Sequence, residues 1–122
     1  MEELKKEIKK YINERGWSIL KNPSSISKSI SIESSELLEI FQWKDLSIKN
    51  IKQDQIILQK IKEELADVLI YSTEMAISLD LDIEKIIHEK LEKNIKKYPA
   101  SIVKGNQKEY LKIKESYRKN KK

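Results

Sequence analysis

Two acid pairs, Glu33 with Glu36 and Glu64 with Asp67, interrupt apolar stretches of this sequence. The i, i+3 spacing points both carboxylates of a pair off the same side of a helix. A stripe through Ile26, Ile30, position 33, Leu37 and Phe41 is apolar except at Glu33, and one through Ile57, Ile61, position 64, Val68, Tyr71 and Met75 is apolar except at Glu64. In a chain that is 37% charged, one such pair is ordinary. Two pairs, each breaking a stripe in the two most hydrophobic segments, point to a site. If the stripes face one another, four carboxylates meet inside a helical bundle. Two like charges about 5 Å apart repel by roughly 3 kcal/mol at an effective dielectric near 20. Several such pairs rival the ~5 to 15 kcal/mol that holds a domain folded. Bound cations, proton uptake or a lysine partner must offset that repulsion. Oxygen-only ligation suits hard cations, Mg²⁺ or Mn²⁺, which keep waters and substrate phosphates in their shell.

The inventory excludes other chemistries. There is no cysteine and one histidine, His88, so disulfides, thiolate zinc sites, cysteine nucleophiles and poly-histidine metal sites are ruled out. A di-iron bundle needs Glu-x-x-His on two helices. The residue three before His88 is Lys85, so that reading fails and His88 receives no special role.

The elements that must position the acids read as helices. Two glycines and two prolines leave few turn signals in a chain dominated by Lys, Glu, Ile and Leu. A first amphipathic helix carries Leu4, Ile8, Tyr11 and Ile12 and ends near Gly16. A second spans about Ile26 to Trp43, with Ser24 or Ser25 as N-cap. A polar connection with a short helical turn leads to the longest helix, whose buried face is read as Ile57, Ile61, Leu65, Val68, Leu69, Met75, Ala76 and Leu79. A fourth helix begins after an Asp82 N-cap, carries Ile83, Ile87, Leu91 and Ile95, and stops before Pro99. No strand alternation, internal repeat or Gly-rich phosphate loop is visible. The expectation is a single all-α, four-helix-bundle-like domain over residues 1–103, followed by a basic tail, 104–122, partly helical or disordered.

The net charge of +5 comes from that tail, where eight basic residues against Glu109 and Glu115 give +6 and leave the rest of the chain at −1. No stretch reaches the roughly 18 to 20 apolar residues that span a bilayer, nor the apolar run of a signal peptide, so a cytoplasmic protein without a membrane partner is expected.

The segments SISIESSELLEIFQW, EELADVLIY and KLEKNIKKYP, in that order, resemble the all-α nucleoside triphosphate pyrophosphohydrolases of the MazG-like group, and within it the small single-domain dCTP pyrophosphatase type. The resemblance runs from about Arg15 to Pro99. It implies a MazG-type fold and Mg²⁺-dependent cleavage of a nucleoside triphosphate, dCTP or a related pyrimidine, to the monophosphate and pyrophosphate. The family's ExxE and ExxD ligands fall on Glu33, Glu36, Glu64 and Asp67, the positions that break the stripes; Glu39 and Glu63 turn away from the paired face. Trp17, Trp43 and Tyr71 match aromatics that line the base and sugar pocket. Asn94, a polar residue in an apolar row, matches an asparagine that reaches toward the nucleotide, and Lys44, Lys97 and Tyr98 are read as phosphate or sugar contacts. The chain departs from the family in the loop before the second helix, where Lys21, Ser24 and Ser25 replace a usual His, Lys and Asn; this bears on base preference more than on hydrolysis. The resemblance also implies a homodimer or homotetramer, in keeping with the apolar surface of the second and third helices. The alternative function is a non-catalytic helical oligomer that binds nucleic acid or another polyanion through its basic tail.

Overall fold

The helical reading holds throughout the computed structural model, which describes residues 1–17 and 22–120. The elements are α1 (Glu2–Glu14), α2 (Pro23–Glu39), α3 (Ile48–Gln53), α4 (Gln55–Ser78), α5 (Ile83–Lys97), α6 (Ala100–Val103) and α7 (Gln107–Asn120). There is no strand among the described residues. The chain forms two compact units, Met1–Asp82 and Ile83–Lys122.

In the first unit α4 is the central element, packed against α1, α2 and α3, and its pairing with α2 is the most extensive in the molecule. Asp54 starts it by accepting from the Ile56 and Ile57 amides at 3.1 and 3.2 Å. At its far end Asp80 adopts φ 53, and the Leu81 amide donates back to the Ala76 carbonyl at 2.8 Å. Lys5 of α1 donates to the Leu81 carbonyl at 2.8 Å, pinning the start of α1 to that turn. Ile8 and Ile12 of α1 close on Ile77 of α4 to form the buried core, so the predicted amphipathic face of α1 is the one used.

Three local expectations are corrected. The second helix starts at Pro23, ahead of the predicted Ile26, because Asn22 is the cap: its side chain accepts from the Ser25 amide at 3.1 Å, and a proline at the first helical position is pre-set for helix. It also ends at Glu39 rather than Trp43, because the amides of Ile40, Phe41 and Gln42 donate three residues back, to Leu37, Leu38 and Glu39, and this tighter turn unwinds the helix. Finally, Leu65, Leu69 and Leu79 of α4 are exposed; the buried residues of α4 are Thr73, Glu74, Ala76 and Ile77, of which Ile77 packs on Ile8 and Ile12 of α1.

The short helical turn predicted in the polar connection is α3, capped by Ser47, which accepts from the Asn50 amide at 3.1 Å. In the second unit, α5 ends at Lys97, before Pro99 as read. The last segment is helical to Asn120 and held by ring contacts: Tyr98 lies 4.9 Å from Tyr110, and Lys97 Nζ stands 4.5 Å from the centre of the Tyr117 ring. Ile87, Leu91 and Ile95 of α5, the apolar row of the predicted fourth helix, are exposed in the single chain. Among the described residues no helix is long and apolar enough to cross a membrane.

Candidate metal centre

The α2–α4 pairing brings the two interrupted stripes face to face. Glu33 from α2 and Glu64 and Asp67 from α4 each offer a carboxylate oxygen, and these oxygens lie within 4.8 Å of one another. Glu36, one turn beyond Glu33, is exposed at the rim and interacts with both Glu33 and Glu64. The register follows from the helices themselves: an i, i+3 pair leaves each helix on the side that the apolar neighbours turn toward the partner.

The cluster is under electrostatic strain. Glu33 Oε2 and Glu64 Oε2 are buried and, with every carboxyl ionised, find no hydrogen-bond donor among the described residues. The Glu33 pKa is pushed up to about 7, first by a hydrogen bond to Glu36 that requires a proton, then by burial and the charges of Glu36, Asp67 and Glu64. Glu64 is raised as well, chiefly by burial and then by Glu36. No lysine forms an ion pair with these acids among the described residues, so of the three ways to offset the repulsion, protons and cations remain. Magnesium holds oxygens at about 2.1 Å and so separates opposed ligands by about 4.2 Å. A group already gathered within 4.8 Å therefore fits a small hard cation after minor side-chain rotation.

Beside the acids a cavity of about 480 Å³ opens between α1 and α4. Asp67 and Tyr71 line it on the α4 side, Tyr11 and Trp17 on the α1 side, with Glu7 and Glu74 as further acids. Trp17 is placed by the end of α1. Gly16 takes φ 68, which lets the Trp17 amide donate back to the Ile12 carbonyl at 3.1 Å. The indole then meets Tyr11 edge-on at 5.6 Å. Gly16→Ala is expected to lower stability by about 1 kcal/mol, the cost of a side chain in the left-handed region, although nothing crowds its Cβ. Chemical denaturation measures that loss, and tryptophan emission reports any shift of Trp17.

Tyr71 bridges the two regions. Its hydroxyl is held in its protonated form above the usual tyrosine range, by burial first and then by Glu74, Glu33 and Asp67. Trp43 and Lys44 lie beyond the end of α2; Trp43 is 85% exposed and neither residue lines the cavity. Asn94, Lys97 and Tyr98 belong to the second unit. Lys21 lies outside the described residues, while Ser24 and Ser25 form the first turn of α2. Glu74 was missed by the sequence reading. Its signal was the same as that of Glu33 and Glu64, an acid breaking an apolar i, i+4, i+7 row, here Ile70, position 74 and Ile77.

The signature of the MazG-like family matches residues 28–113. The chain belongs to that family. It is 27% identical to dCTP pyrophosphatase 1 of Rattus norvegicus over 110 residues, covering 87% of this chain and 63% of that protein. It is 26% identical to dCTP pyrophosphatase 1 of Homo sapiens over 117 residues, covering 93% and 67%. The chain thus spans about two thirds of the length of these relatives. Among solved structures, that of a pyrophosphatase from Archaeoglobus fulgidus superposes with a TM-score of 0.72 at 37% identity, covering 81% of this chain and 92% of that one. This MazG-like chain carries both features described above, the gathered acids and the aromatic cavity that adjoins them.

Proposed function

We propose that this protein is a divalent-cation-dependent nucleoside triphosphate pyrophosphohydrolase that converts a (d)NTP, dCTP or a related pyrimidine, to the monophosphate and pyrophosphate. The observation that carries the reading is the convergence of Glu33, Glu64 and Asp67 within 4.8 Å beside a cavity lined by aromatic rings. The dCTP pyrophosphatases and the archaeal pyrophosphatase that the chain resembles support it.

Glu33, Glu64 and Asp67, with Glu36 at the rim, would hold Mg²⁺ or Mn²⁺. A bound divalent cation would supply positive charge for the substrate's phosphate oxygens and acidify a water molecule. The protein's own part is to orient. Trp17 and Tyr11 would take the base by stacking, and Tyr71, which lines the cavity and feels the charges of Glu33 and Asp67, would hold the nucleotide between base cavity and acids. Water adds to that phosphorus, the bond to the bridging oxygen of the β-phosphate breaks, and pyrophosphate leaves. The Glu36 carboxylate, exposed at the rim, would accept the proton that the water gives up. No covalent intermediate is needed. Trp43, Lys44, Asn94, Lys97 and Tyr98 keep the nucleotide-contacting roles that the family resemblance implies.

Incubation with each common dNTP and NTP plus Mg²⁺ is expected to release pyrophosphate from at least one pyrimidine nucleotide, with loss of turnover in EDTA. Release of orthophosphate instead would contradict the proposed bond cleavage. The alternative of a non-catalytic polyanion-binding oligomer has no support in these comparisons.

The reading includes self-association. Leu65 and Leu69 on α4 and Ile87, Leu91 and Ile95 on α5 are apolar rows left uncovered in one chain, the pattern of a subunit interface. Light scattering is expected to give a mass of two or four chains, and Leu69→Glu with Leu91→Glu to lower it.

A further inference from the structure

Glu74 is a buried acid that the proposed chemistry does not use. It lies on α4 one turn past Tyr71, is only 7% exposed, and lines the cavity together with Tyr11, Trp17 and Tyr71. No described residue donates a hydrogen bond to it, whereas its buried neighbour Thr73 is satisfied by the Leu69 carbonyl at 2.7 Å. Its carboxyl is open to the cavity and not sealed in the core as Glu33 Oε2 and Glu64 Oε2 are, and it faces space of a size suited to a small ligand.

We propose that Glu74 is the base-reading residue of this site, pairing with a nucleobase edge that places an amino group beside an unprotonated ring nitrogen, the edge that cytosine presents. The inference rests on the pyrophosphohydrolase reading for what enters the cavity. It does not rest on the acids that would hold the cation, since Glu74 is seven residues beyond Asp67 on the same helix.

The recognition is a matter of donors and acceptors. Burial raises the Glu74 pKa and so favours the neutral carboxyl. A neutral carboxyl offers one O–H donor and one carbonyl acceptor. The O–H donates to cytosine N3 and the carbonyl accepts from the N4 amino group, so both partners are satisfied. Adenine presents the same pair at N1 and N6. Uracil presents N3–H and O4, so the carboxyl must turn over and its O–H then meets a carbonyl oxygen, a weaker acceptor than a ring nitrogen. The ionised carboxylate has no proton for cytosine N3 and sets two lone pairs against each other. Among the described residues, Glu7, Tyr11, Asp67 and Tyr71 are the other ionisable groups lining the cavity, and none of these is a cation that would hold Glu74 ionised.

The test compares wild type, Glu74→Gln and Glu74→Leu. With Mg²⁺ present, kcat/KM is measured for dCTP, dATP and dUTP. In a second, metal-free arm, binding of dCMP, dAMP and dUMP is followed by tryptophan fluorescence. Wild type is expected to favour dCTP over dUTP by about tenfold or more, through KM, with dCMP bound more tightly than dUMP. The dATP and dAMP arms tell whether a purine with the same edge is admitted. Glutamine keeps one donor and one acceptor but turns over to pair with uracil as readily as with cytosine, so it is expected to bind dCMP within about threefold of wild type while losing most of the preference over dUMP. Leucine is expected to erase it in both arms without lowering the melting temperature, because it replaces an unpartnered carboxyl with an apolar group of similar size. An unchanged preference in the leucine variant overturns the proposal, as does a glutamine variant that binds dCMP as weakly as the leucine variant does. If wild type hydrolyses no triphosphate while the binding preference follows this order, the proposed activity fails and the role of Glu74 stands.

Discussion

Glu64→Gln is expected to reduce pyrophosphate release by on the order of a hundred- to a thousandfold while raising the melting temperature of the metal-free protein. The two effects have one cause. Glu64 Oε2 is buried without a donor, and the carboxylate faces Glu36, Asp67 and Glu63. Without a cation that arrangement opposes folding, so an isosteric neutral amide relieves it. With a cation the same oxygen becomes a ligand, and an amide carbonyl with no net charge is a poorer one. Calorimetry with EDTA and with Mg²⁺ reads the exchange directly: wild type is expected to gain more from Mg²⁺ than the variant does. A Glu64→Gln protein that keeps full turnover, or that melts below wild type in EDTA, would remove the acid cluster from the mechanism.

The second large effect is a dependence of stability on pH that runs opposite to ordinary acid denaturation. Glu33 carries its proton to about pH 7 in the folded chain, against a reference value of 4.5. Between those values the folded state binds more protons than the unfolded state, so stability falls as pH rises. The contribution is complete below about pH 4.5 and is lost as pH passes through 7. Glu64 and Glu74 are raised in the same direction and add to the trend. Divalent cation reverses it, because binding displaces the proton from the cluster and is favoured where the proton is already gone. Melting curves from pH 5 to 8 are expected to decline in EDTA, and the Mg²⁺-induced rise to grow over the same range. A flat metal-free profile would mean that the cluster is not strained.

Much of this was legible before any tertiary contact was known. The i, i+3 acid pairs, the order of the helices and the stop before Pro99 are local properties, set by side-chain period, turn chemistry and proline sterics. The location of the caps was less legible. Asn22, Ser24 and Ser25 are all good cap residues, and Pro23 decides among them only once the helix is seen to begin there.

Which faces are covered was not local at all. Leu65 and Leu69 look as buried on a helical wheel as Val68, yet α4 rotates so that they are exposed while Glu74, Ala76 and Ile77 lie beside α1. A wheel gives the width of an apolar stripe but not its centre when three neighbours compete for one helix. The aromatic cavity has the same origin. Tyr11 and Trp17 reach Tyr71 because the left-handed turn at Gly16 folds the chain back over α1 and α1 then docks on α4. By itself the sequence determined that four acids leave two apolar helices in matched pairs, since the helical period allows nothing else. Tertiary packing decided that three of them converge within 4.8 Å, and that a further carboxyl, Glu74, lines the space beside them, because both facts depend on how α1, α2 and α4 turn against one another.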